Sequence, residues 1–302
     1  MNVRGSRPLI VLSVVLAAAA AGCGGGTAPG QGLRVVAAEN FWGSIAGQIA
    51  GARANVTSII VNPDTDPHSY DPTPADARAF AGAKLAIVNG IGYDDWASKL
   101  LHASPLAGRR TLDVGDLLGV RAGGNPHQWY SPSSVARVIV AITADLVRLD
   151  PRDAAYFRGR EHLFQTRALA RYHELIAQIR ARFHGVAVGY SESIFEPLGR
   201  ALGLRLLTPY SFAKAIAEGT EVTAADTQTV DRQAQRHLIR VWIFNSQNVT
   251  PEVQRVNLLA RAAGIPIATV TETLSPATDS FEQWQVAELE ALKRALARGV
   301  RR

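Results

Sequence analysis

The chain has 302 residues, with 32 Lys and Arg against 26 Asp and Glu, seven His and a single Cys. The formal charge of +6 is dispersed among acidic neighbours, as in Arg152-Asp153 and Arg160-Glu161, and no basic stripe is interleaved with aromatics, which argues against nucleic-acid binding. One cysteine rules out an intramolecular disulfide, and the length accommodates two ordinary domains.

Residues 1–22 read as an export signal. Arg4 and Arg7 supply positive charge, and 9–21 form an apolar core too short for a comfortable membrane span. The run Ala20-Ala21-Gly22-Cys23 resembles a bacterial lipobox, with Ala20 where leucine is usual. The resemblance implies that Cys23 is lipidated and becomes the first residue of the mature protein. Residues 23–32, rich in glycine, read as a flexible tether. No later apolar stretch reaches spanning length, so the body is expected outside the cytoplasmic membrane, held to it through the lipid.

From 33 onward, apolar runs alternate with amphipathic ones. Strands are expected over 33–38, 56–61, 85–89 and 111–114, with helices over 42–50, 74–81 and 94–102 between them. This β-α-β-α rhythm predicts a parallel sheet covered by helices on both faces. It breaks at 133–149, a helix with Ser131 as N-cap and Pro132 in its first turn. Asp150-Pro151 starts another helix, which the near absence of Gly and Pro extends to about 183, a rod of about 45–50 Å. The rhythm resumes with strands over 186–190, 204–207, 239–244 and 265–271, and helices over 194–202, 226–236, 251–263 and 281–297. The expected architecture is α/β: an N-terminal β/α lobe (33–150), a linking helix (151–184) and a C-terminal β/α lobe (185–302), with parallel sheets and a cleft between the lobes.

The segment 66–74 reads D-P-H-S-Y-D-P-T-P. Prolines at 63, 67, 72 and 74 remove donors and force extended geometry on their predecessors, so this is a stiff loop holding His68 just beyond a strand. Three other groups recur at the same kind of place. His127 lies in Asn125-Pro126-His127-Gln128-Trp129, Glu192 follows the strand 186–190, and Glu272 follows the strand 265–271. All four sit past the carboxyl ends of parallel strands, two from each lobe, where open α/β sheets bind ligands. Two imidazoles and two carboxylates suit one divalent first-row ion, with carboxylates leaning toward Mn²⁺ and tolerating Zn²⁺ or Fe²⁺. The two negative charges balance the dication. His162, His173 and His184 recur every eleven residues along one helix face, about 16 Å apart, too far to share an ion.

With these segments in view, together with Asn40-Phe41-Trp42-Gly43, the run F-N-S-Q-N-V-T-P ending at Pro251 and Val270-Thr271-Glu272-Thr273-Leu274, the chain resembles the manganese/zinc solute-binding lipoproteins of bacterial ABC importers. The resemblance implies that His68, His127, Glu192 and Glu272 bind one transported ion. It also implies a monomer that delivers the ion to a permease and its ATPase. Glu192, where zinc-preferring members often have histidine, and the absence of a His-rich insertion before His127 tilt toward manganese.

A metallohydrolase needs an open coordination position and a general base, and no H-E-x-x-H pair, G-x-S-x-G elbow or Walker loop is present, so no enzymatic activity is expected. A larger chelate such as haem, cobalamin or a siderophore would need Trp42, Trp96 and Trp129 to line the cleft, whereas packing beneath the loops is the expectation. An adhesin role is neither supported nor opposed by the sequence.

Overall fold

The computed structural model describes Met1 and residues 32–301 apart from 64 and 66, with His68 described by its backbone alone. The predicted signal, Cys23 and nearly all of the tether lie outside the described residues.

The first half runs β1 (Leu33–Glu39), α1 (Asn40–Ala50), β2 (Ala54–Ile60), α2 (Pro74–Gly82), β3 (Leu85–Val88), α3 (Asp95–Ala103), β4 (Arg110–Asp113) and α4 (Val114–Leu118). Its four strands are all parallel, in the order β2-β1-β3-β4. β3 is buried along its whole length, as its unbroken apolar run L-A-I-V requires of a strand covered on both faces. α1 lies close against the sheet because Gly43 has no side chain: a Cβ there would stand 2.0 Å from Ser58 Oγ. α2 starts at a reciprocal cap in which Thr73 Oγ1 accepts from the Asp76 N–H while the Asp76 carboxylate accepts from the Thr73 N–H.

The second half repeats the plan: β5 (Ala187–Tyr190), α8 (Glu196–Ala201), β6 (Arg205–Leu206), α9 (Tyr210–Ala217), α10 (Ala224–Gln235), β7 (Val241–Asn245), α11 (Pro251–Ala262), β8 (Ile267–Val270) and α12 (Phe281–Gly299). This sheet is also parallel, in the order β6-β5-β7-β8. The α/β class with two parallel sheets is as expected. In both sheets the strand order reverses between the first and third strands of the half. Loops leaving adjacent strands on either side of that point diverge and open a crevice, the usual ligand position of open α/β sheets.

Between the halves, α5 (Pro132–Leu149) is capped by Ser131, as the sequence predicts. The expected single rod from 151 to 184 is instead a 3₁₀ turn at Pro151–Asp153, α6 (Ala154–Leu163), a π turn at Phe164–Ala168 and α7 (Ala170–Phe183). The reason lies in the apolar spacing. Buried Phe164 and buried Leu169 are five residues apart, which no α-helical face accommodates, and a turn closed by the Leu169 N–H on the Phe164 carbonyl at 2.9 Å puts both on the core side.

Two further elements depart from the predicted ones. The strand expected over 111–114 ends at Asp113, whose side chain accepts from the Asp116 N–H and so starts α4 at Val114. The unassigned stretch after 207 contains α9, a short helix that buries Phe212, Ala213 and Ile216.

One continuous apolar cluster runs from β1 and α1 through Trp129 and Phe164 to β7 and Trp284. From Gly32 onward the chain is one compact unit. α12 packs on α7 and reaches α1, and the Phe281 N–H donates to Ser44 Oγ at 2.9 Å. The carboxyl ends of the two sheets are thus held facing each other by a shared core.

Candidate metal centre

His127 is fully buried and leads into a 3₁₀ turn, Gln128–Tyr130. Asn125 fixes it twice. The Asn125 side-chain oxygen accepts from the His127 backbone N–H at 3.0 Å and lies 2.9 Å from ring Nδ1. Accepting the Nδ1 proton places the lone pair on Nε2, the arrangement that prepares an imidazole for a metal. Nε2 lies 3.5 Å from Glu272 Oε2, across the space between the two sheets. The ring packs edge-on against Trp129 at 5.2 Å, and Trp129 stacks on Phe41 at 4.1 Å.

Glu272 follows β8 and is buried. Oε2 accepts from the Tyr93 hydroxyl at 2.9 Å and Oε1 from Asn245 Nδ2 at 2.9 Å. Gln247 Oε1 accepts the backbone N–H groups of both Glu272 and Thr273, at 2.6 and 3.1 Å. Glu192, one residue past the Ser191 that follows β5, is also buried, and its Oε2 accepts from Asn248 Nδ2 at 2.9 Å. The short segment from Asn245, the last residue of β7, to Asn248 therefore holds both carboxylates. Each of these donors is neutral, so each orients a carboxylate without cancelling its charge.

His68 is the middle residue of the 3₁₀ turn Pro67–Ser69. Ser69 of that turn lines a cleft of about 470 Å³ together with Thr65, Gln247, Asn248 and Glu272. A second cavity, of about 150 Å³, shares Ala217 and Glu218 with the first and is lined by Ile91, Asn125, His127, Ser193 and Lys214 among others. The described side chains thus bring His127 and Glu272 together and tie Glu192 to the same loop as Glu272. Among the described residues, no group of three or more His, Cys, Asp or Glu side chains is close enough to hold an ion. Trp42, Trp96 and Trp129 are buried in the core, so none supplies the aromatic lining that a larger chelate would need.

Several contributors were not singled out from the sequence. Asn125, Tyr93, Asn245, Gln247 and Asn248 act through contacts that the fold alone creates, although four of them are amides clustered beside predicted ligands or strand ends. Tyr93 is aimed by an unusual turn. Gly90, Ile91 and Gly92 all have positive φ, of 69°, 63° and 82°, a conformation that is strained for the β-branched Ile91. Asp94 holds this turn by accepting the N–H groups of Asn89 and Gly90 at 2.7 and 2.8 Å. A Cβ at Gly90 would meet the Asp113 carboxylate at 2.4 Å, so no other residue fits. Burial pushes the Asp94 carboxyl up to about 6, against the lowering by those two backbone donors. Glu39, at the end of β1, is fully buried, and its burial together with the adjacent Asp94 pushes its carboxyl well above the usual range. Asn89 links this end of the turn to the His127 loop, accepting from Trp42 Nε1 and donating to the Pro126 carbonyl, each at 3.0 Å.

Residues 35–295 match the family model described as zinc-uptake complex component A, periplasmic. The chain belongs to this family. Members similar to it include the manganese-binding lipoprotein MntA of Halalkalibacterium halodurans, 29% identical over 63% of this chain and 66% of that protein. The iron ABC transporter substrate-binding lipoprotein MtsA of Streptococcus pyogenes serotype M1 is 26% identical over 64% of this chain and 66% of that protein. Each alignment spans just under two thirds of the relative's own length. Among solved structures, the Mn-bound periplasmic metal binding protein from candidatus liberibacter asiaticus superposes with a TM-score of 0.72 at 20% identity, covering 87% of this chain and 98% of that one. A mutant of the laminin-binding adhesin Lmb from Streptococcus agalactiae does so with a TM-score of 0.72 at 19% identity, covering 88% and 100%. At those identities the likeness establishes the fold alone. Among the described residues, no helix is long and apolar enough to cross a membrane.

Proposed function

We propose that this chain captures one divalent transition-metal ion outside the cytoplasmic membrane and delivers it to an ABC permease driven by its ATPase. The ion is Mn²⁺ by preference and Zn²⁺ as the alternative, since carboxylates suit manganese while intrinsic affinity order favours zinc. The protein acts as a monomeric binding protein, not an enzyme, anchored through lipid on Cys23. The lobes 33–150 and 185–302, joined through 151–184, supply two ligands each: His68 and His127, then Glu192 and Glu272.

The observation that carries this reading is the approach of His127 Nε2 to Glu272 Oε2 at 3.5 Å. The nitrogen comes from one sheet edge and the oxygen from the other, and each is oriented by neutral partners. A dication between them relieves the repulsion of two buried carboxylates, Glu192 and Glu272, whose joint burial is otherwise costly. Membership of a zinc-uptake family and similarity to manganese and iron lipoproteins point the same way.

Isothermal titration of the protein with Mn²⁺ and with Zn²⁺ tests the proposal. One site per chain is expected for each, with affinity falling on acidification because protons compete for imidazole nitrogens. Absence of a site near 1:1 for both ions would refute it.

A further inference from the structure

Three side chains, Tyr130 from the first half and Thr271 and Trp284 from the second, meet around one carboxyl. Glu288 of α12 places Oε2 at 2.6 Å from the Tyr130 hydroxyl. Its Oε1 lies 3.1 Å from Thr271 Oγ1 and 3.0 Å from Trp284 Nε1. Tyr130 is three residues beyond His127, and Thr271 immediately precedes Glu272. The Tyr130 hydroxyl also touches both backbone groups of Thr271, donating to its carbonyl at 2.9 Å and accepting its N–H at 3.2 Å. The cluster therefore fastens the backbone of one ligand loop to that of the other.

The number of protons in this cluster decides its chemistry. Tyr130 has one hydroxyl proton, and two acceptors, the Thr271 carbonyl and Glu288 Oε2, lie within reach of it. If Glu288 is a carboxylate, the two compete and one buried acceptor is left short, which costs free energy. If Glu288 carries a proton on Oε2, it donates to Tyr130, and Tyr130 donates to the Thr271 carbonyl. Trp284 Nε1 then bridges Glu288 Oε1 and Thr271 Oγ1, and Thr271 Oγ1 donates to the Thr273 carbonyl at 2.9 Å. Every group then has a partner.

We infer that Glu288 is a positioning residue for the metal centre, donating a proton to Tyr130 and thereby clasping the His127 loop to the Thr271–Glu272 segment so that the ion is retained. The inference rests on the metal-binding reading above. The desolvated surroundings of the carboxyl agree with it, since burial pushes Glu288 up to about 8 and outweighs the lowering from its hydrogen bonds with Tyr130, Thr271 and Trp284. Tyr130 is likewise pushed well above its usual range, chiefly by burial, so it remains a hydroxyl donor.

The test compares the parent with Glu288→Ala, Glu288→Gln and Tyr130→Phe. Release of bound Mn²⁺ into excess chelator is followed by stopped flow, alongside the melting temperature. Glutamine has a donor and an acceptor where the neutral acid has them, so Glu288→Gln should release Mn²⁺ within about twofold of the parent. Glu288→Ala and Tyr130→Phe should release it at least about tenfold faster, in the range of losses seen when partners of ligands are removed. Parental release from Glu288→Ala with only a lowered melting temperature would overturn the inference, as would Glu288→Gln releasing as fast as Glu288→Ala. An infrared difference spectrum, parent minus Glu288→Gln at pH 7, should show the carbonyl stretch of a neutral carboxylic acid. A carboxylate band in its place overturns the inference whether or not metal binds. A parent that binds no metal but shows the neutral-acid band would instead count against the metal-binding reading.

Discussion

Replacing His127 with alanine is expected to weaken Mn²⁺ and Zn²⁺ binding by at least about a hundredfold while the protein remains folded. Loss of a partner that merely orients a ligand already costs about 10–100-fold in metal affinity, and removing the ligand itself costs more. His127 is held on both sides of its ring. Its Nδ1 side is committed to Asn125 at 2.9 Å, its Nε2 side faces Glu272 at 3.5 Å, and the ring is fully buried. The aromatic wall behind it is made by Trp129 and Tyr93 independently of the imidazole, so the surrounding packing survives the truncation. Calorimetry of the variant beside the parent, with circular dichroism to verify folding, checks the expectation. Parental affinity in a folded His127→Ala would remove His127 from the centre.

The largest stability effect is expected at Trp129. Its indole is fully buried, stacks on Phe41 at 4.1 Å, and meets Tyr93, His127 and Tyr130 at 5.1, 5.2 and 6.2 Å. Truncating a buried tryptophan removes its transfer free energy and leaves a cavity, together about 3–5 kcal/mol. Trp129→Ala should therefore lower unfolding stability by that amount in urea titrations, and weaken metal binding as His127 loses the surface it leans on. The indole Nε1 has no hydrogen-bond partner among the described residues, so Trp129→Phe should retain most of the stability because only volume is lost. Equal losses from the two substitutions would show that the site depends on a polar contact of the indole, contrary to this account.

Much of the fold is legible from apolar periodicity. Short runs such as L-A-I-V and V-W-I-F alternate with helical patterns, and the capping residue Ser131 marks where α5 begins. Glu272 is legible from its place just past β8 and His127 from its Gly/Pro-bounded loop beyond α4, and the fold sets the two side chains 3.5 Å apart. The π turn was written in the five-residue step from Phe164 to Leu169, a slip in the apolar period that a smooth rod overlooks. α9 is only eight residues long between Pro209 and Gly219, too short for a convincing period. The supporting groups were the hardest to foresee. Tyr93 reaches Glu272 across 179 positions of sequence, and Tyr130 reaches Glu288 across 158. Proximity of that kind arises only when the two sheets share one core. Asn245, Gln247 and Asn248 were visible as polar residues at a strand end, but their task depends on where Glu192 and Glu272 stand.

The central claim is that two imidazoles from one half and two carboxylates from the other surround a single dication. X-ray absorption at the metal edge of Mn²⁺-loaded protein counts imidazole rings directly through their outer-shell scattering. Two imidazole nitrogens with oxygen donors completing the shell are expected, and one fewer ring in His68→Ala and in His127→Ala. A parent spectrum with no imidazole, or one unchanged by both substitutions, would contradict it.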